Sequence, residues 1–116
     1  MKPALLCIAL VACAASTRQT AISAAFSTTL AAGSALEAFD GLHEQSIVAA
    51  GLNKAGVDAA LAAWQAERTK ARAALLVATQ LEVAAALAND DASLATMTSA
   101  VAALIAELKA DGLSVP

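Results

Sequence analysis

The sequence predicts an all-α fold: a long antiparallel helical hairpin with a shorter third helix packed at its base, bundle-like. Three observations predict it. Much of the 59% hydrophobic content is alanine, the strongest helix former, while the aromatics that strands favour are confined to Phe26, Phe39 and Trp64. The prolines, Pro3 and Pro116, sit at the extreme ends and leave the interior uninterrupted. Apolar residues recur at helical spacing between two groups of turn-forming residues, Gly51-Leu52-Asn53 and Asn89-Asp90-Asp91. A chain of 116 residues is one domain. Its core must be thin, because alanine buries little area.

The first element is an address. Lys2 precedes the apolar run Pro3-Ala-Leu-Leu-Cys-Ile-Ala-Leu-Val-Ala12, a short positive region and an apolar stretch of about ten residues. A spanning helix needs roughly twenty apolar residues, so this stretch is too short to remain as one. Ser16-Thr17-Arg18-Gln19 ends the apolar run. Within it, Leu10-Val11-Ala12-Cys13 has an aliphatic residue, a tolerant position, a small residue and a cysteine. This resembles the lipobox of bacterial lipoproteins. Cys7 does not fit, because bulky Leu6 precedes it. The resemblance implies a signal peptide over 1–12, diacylglycerol on Cys13, and a lipidated tether over 13–16. It also implies residence in the cell envelope. Ala14 stands where enterobacterial sorting uses aspartate to retain a protein at the inner membrane, which favours the periplasmic face of the outer membrane in a Gram-negative host. Several acyl chains anchor stably, at roughly 0.8 kcal/mol per buried CH₂. Cys7 would be discarded and Cys13 capped, leaving no thiol for a disulfide.

The helical domain is expected over 17–116. Ser16 or Thr17 can cap a first helix over about 17–50, a rod of about 50 Å. Gly51 suits the residue after it, Asn53 can cap a second helix over 54–88, and Asp90 or Asp91 a third over 92–110, ended by Gly112. Short connections make neighbouring helices antiparallel. The third helix carries a one-sided stripe at Leu94, Met97, Val101, Leu104, Ile105 and Leu108. It is long enough to cover roughly residues 72–88. The remainder of the hairpin, roughly 37–71, is expected to be a bare two-helix arm that invites a partner.

One cluster breaks the apolar pattern. On the first helix Ile22, Phe26, Gly33, Leu36 and Ile47 share a face, and Asp40 falls in the middle of it, flanked by Glu37, His43 and Glu44. On the second the stripe is Val57, Leu61, Trp64 and Leu75, with Arg68 in its middle. A turn at 51–53 sets Asp40 opposite Arg68. The leading reading is a structural ion pair, Asp40–Arg68, that fixes register. A second is an interaction surface made of Glu37, His43, Glu44 and Trp64. The third is a metal- or ligand-binding bundle using Asp40, His43 and Glu44. His43 is the sole histidine, so one chain cannot supply two imidazoles. No metal or cofactor is assigned.

Formal net charge is −3, and removal of residues 1–12 takes Lys2 and leaves −4. The remaining cations form no single patch, which argues against nucleic acid. No G-x-S-x-G elbow and no phosphate-binding glycine loop is present, so no enzymatic role is assigned. The expected role is a small envelope lipoprotein, a membrane-tethered structural or interaction module whose hairpin tip meets a protein partner or another copy. A phage- or prophage-associated lysis accessory lipoprotein is an alternative of the same build.

Overall fold

The computed structural model describes the backbone of residues 3–115 and the side chains of residues 16–115. The signal segment 1–12 and Cys13 lie outside the described side chains. The described residues form three α-helices: α1, Pro3–Ala49; α2, Lys54–Ala88; and α3, Asp91–Ala110. The fold is all-α, and each helix packs on the other two. With extents of 77 × 18 × 17 Å, the molecule is a rod.

The helices form because little in them opposes a helix. α1 passes through Ser16 and Thr17 instead of starting there, so the expected cap is not used. Alanines precede these residues, and the Thr20 hydroxyl donates to the Ser16 carbonyl within the helix. The turns follow the cap chemistry. Gly51, at φ 75°, turns the chain after α1, and Asn53 accepts from the Gly56 amide at 2.8 Å to start α2. The second corner is tighter. Asn89 adopts the left-handed conformation, and Asp90 at once caps α3 by accepting from the Ser93 amide at 2.7 Å. Arg18 closes the base of the bundle, donating to Asn89 at 3.2 Å and pairing with Asp91 at 3.2 Å.

Packing follows steps of three and four residues. α1 buries Ile22, Ala25, Thr29, Ala32 and Leu36, and α3 buries Met97, Leu104 and Leu108. On α2 every seventh residue is buried: Trp64, Ala71, Ala78 and Ala85. This is the spacing of helices that cross at a small angle and interlock. Two clusters result. The lower holds Ile22, Ala25, Ala85 and Met97, and the upper holds Leu36, Ile47, Trp64, Leu104 and Leu108. By length and composition alone, α2 and α3 are apolar enough to cross a membrane. The same composition is that of alanine-rich helices packed in a bundle.

The bare arm is shorter than its sequence suggests. At the end of α3, Gly112 takes φ 98°, its amide reaches Lys109 O at 3.1 Å, and the Leu113 amide reaches Leu108 O at 3.0 Å. This Schellman turn redirects the tail along the hairpin. Leu113 and Val115 then join the upper cluster with Trp64 and Ile47. Coverage of the hairpin thus extends to Trp64. The uncovered end carries exposed Leu42, Val48 and Leu52.

Candidate functional site

Asp40 on α1 and Arg68 on α2 meet across the hairpin. Arg68 Nη1 lies 3.1 Å from both carboxylate oxygens of Asp40 and 3.1 Å from Glu44 Oε1. Arg72 Nη2 approaches Asp40 Oδ2 at 3.7 Å. The Trp64 indole N–H donates to Asp40 Oδ1 at 2.7 Å. One carboxylate therefore ties two α2 cations and a buried ring to α1. Burial raises the Asp40 pKa, but the hydrogen bonds from Trp64 and Arg68 and the charges of Arg68 and Arg72 outweigh it and hold the carboxyl below its usual value.

The ring system explains the place of His43. Phe39 stacks on His43 at 5.2 Å and meets Trp64 edge-on at 5.4 Å, and the His43 and Trp64 rings lie 4.6 Å apart. Steps of four and three along α1 put His43 on the row that holds Leu36 and Phe39 on the neighbouring row. Trp64, only 5% exposed, anchors the group. Burying an indole removes on the order of 200 Å² from water, worth up to about 5 kcal/mol, more than the exposed part of the ion-pair network contributes.

The structure divides the residues singled out in the sequence. Asp40, His43, Glu44, Trp64 and Arg68 come together. Glu37 does not: it is exposed, one turn away, facing a groove that it shares with Arg72. Trp64 also leaves the expected interaction surface. It lies under the chain's own tail, with its N–H already bound, so it cannot serve as an exposed anchor. Both Asp40 oxygens are engaged by Arg68, and among the described residues no group of three or more His, Cys, Asp or Glu side chains is placed to hold a metal ion.

Two polar features escaped sequence reasoning. Glu82 is fully buried and accepts a hydrogen bond from the Thr29 hydroxyl, while its Oε2 has no hydrogen-bond partner among the described residues. The signal was present. Glu82 follows Trp64 by five complete helical turns and so must share its face, and Thr29 lies midway between Ile22 and Leu36 on theirs. The other is a carboxylate group at the end of α3. Burial raises the Asp111 pKa, and a hydrogen bond shared with Glu67 and the charges of Glu67 and Glu107 raise it further, with Lys70 opposing. Its register depends on the packed helices and was not readable from one strand of sequence. No family model matches the chain, and neither a curated protein nor a solved structure matches it.

Proposed function

We propose that this protein is a small, non-enzymatic lipoprotein of the cell envelope, fixed to a membrane by lipid on Cys13 and presenting a helical rod. The observation that carries the reading is Leu10-Val11-Ala12-Cys13, placed after a lysine and an apolar run. The architecture is compatible with that role. Arg18 pins the base of the bundle to the α2–α3 corner a few residues beyond Cys13. From Cys13 to the end of α1 the helix rises about 55 Å. The tip, with Leu42, Val48 and Leu52 exposed, would stand that far from the anchor. The Asp40–Trp64–Arg68 network serves to lock the hairpin register.

The anchor is tested by mass spectrometry of the membrane fraction. Wild type is expected to begin at an acylated Cys13, and Cys13→Ser to keep residues 1–12 and carry no lipid. Wild-type protein that begins elsewhere, or carries a bare Cys13 thiol, overturns the reading.

A further inference from the structure

The hairpin has a second face, away from α3. A groove of about 370 Å³ runs there between α1 and α2, lined by Phe26, Leu30, Gly33 and Leu75, with Glu37 on one wall and Arg72 on the other. A neighbouring hollow lies further along the hairpin against Glu44, Val48 and Leu61. Among the described residues, none of α3 lines either hollow. At the groove floor the helices are close: a Cβ on Gly33 would stand 3.4 Å from Leu75 Cδ2.

The walls are apolar and almost free of charge. Leu30 is 72% exposed. Leu76 and Val83, also exposed, lie one turn beyond Arg72 and Thr79 on the same side of α2. Between Arg18 and Glu37, and between Arg72 and Asp90, the sole charged residue is buried Glu82. The pairs Arg18–Asn89, Thr29–Glu82 and Asp40–Arg68 fix the antiparallel register, so Glu37 and Arg72 stand at nearly the same height.

We propose that this groove is the interface of a parallel homodimer. A two-fold axis along the rod sets α1 of each copy against α2 of the other. Glu37 of each copy then faces Arg72 of the other, at the upper end of two matched uncharged walls. Glu44 comes opposite Gln65, and no like charges meet. The other two-fold, perpendicular to the rod at the groove, sets α1 on α1 and leaves Glu37 facing an uncharged wall. Charge complementarity therefore selects both the second copy and its direction. From Ser23 to Val48 the face is about 38 Å long and, at 18 Å wide, offers roughly 700 Å² per copy, within the range of specific interfaces. The dimer does not depend on the anchor, but parallel docking leaves both amino termini at one end, as one membrane would require.

The test is sedimentation equilibrium of the full chain in detergent micelles, with circular dichroism to show that each variant is folded. Wild type is expected to dimerise. Glu37→Arg sets arginine against arginine, and Arg72→Glu sets glutamate against glutamate, so each should weaken dimerisation at least about tenfold. Mixed in equal amounts, the two variants restore both pairs, and the dimer should return. Because Arg72 also lies near Asp40, Leu30→Glu supplies a variant at an exposed position outside the core, and it too should be monomeric. The amino-terminal apolar run is the same in every variant and cannot produce these differences. The proposal is overturned if wild type is monomeric at every concentration, as it would be were a bilayer the partner of this face. It is also overturned if Leu30→Glu associates like wild type, or if the mixture of folded single variants stays monomeric.

Discussion

Asp40 shows how one misplaced charge organises a seam. It accepts from a buried indole and a guanidinium at once, so deleting it strands the indole N–H and leaves Arg68 with Glu44 alone. Asp40→Leu should cost about 2–3 kcal/mol, while Asp40→Leu combined with Arg68→Leu should cost less, because the part-buried guanidinium is then gone and the charges left, Glu44 and Arg72, reach solvent. Chemical denaturation of both variants decides this, and equal losses would show that the network contributes nothing beyond its packing. The acid response has a definite sign. The folded pKa of Asp40 is depressed, so its contribution is present above the unfolded value of about 3.9 and is lost as pH falls through the folded value. That of Asp111 is raised, so the folded state takes up a proton before the unfolded one and gains stability as pH falls through its folded value. The melting temperature should therefore rise slightly on mild acidification and fall below about pH 4. Asp111→Asn should remove the rise and melt about 2 °C higher at neutral pH. Melting curves across pH for the two proteins would show it, and an unchanged rise would clear Asp111.

At the scale of elements, legibility depended on how local each cause was. The corner at Asn89 and Asp90 and the stripe on α3 rest on neighbours within a few residues, and both are written in the sequence. The opposition of Asp40 and Arg68 needed only a wheel and a turn position. The start of α1 was less legible, because Ser16 and Thr17 are capable of capping and equally capable of bonding back within a helix. The reach of the carboxy-terminal tail was hidden for a different reason. Gly112 announces that α3 ends, but only the packed structure shows that Leu113 and Val115 continue over Trp64. Gly112→Ala keeps the residue small while penalising φ 98°. It should cost about 1 kcal/mol and, if the tail lifts, expose the indole. Trp64 fluorescence should shift to longer wavelength. An unmoved spectrum with lowered stability would mean that the tail stays docked despite the strain.

The whole molecule turns a weak core into a long one. Each buried alanine contributes little, but small side chains let three helices pack closely along the roughly 30 Å of α3, in a molecule 77 Å long with a radius of gyration of 19.8 Å. A compact chain of this length would have a radius near 13 Å. Such a shape distinguishes two ways in which copies could meet. Contact through the hairpin tips joins rods end to end and nearly doubles the longest dimension. Contact through the α1–α2 groove, in the parallel sense set by Glu37 and Arg72, lays the rods side by side. The longest dimension then stays near that of one copy while the mass doubles and the cross-section grows. Small-angle scattering from the full chain, with the detergent contrast-matched, reads mass and length together. A doubled mass at nearly unchanged length is the expected result. A doubled mass at nearly doubled length would move the contact to Leu42, Val48 and Leu52, and the groove would lose its partner.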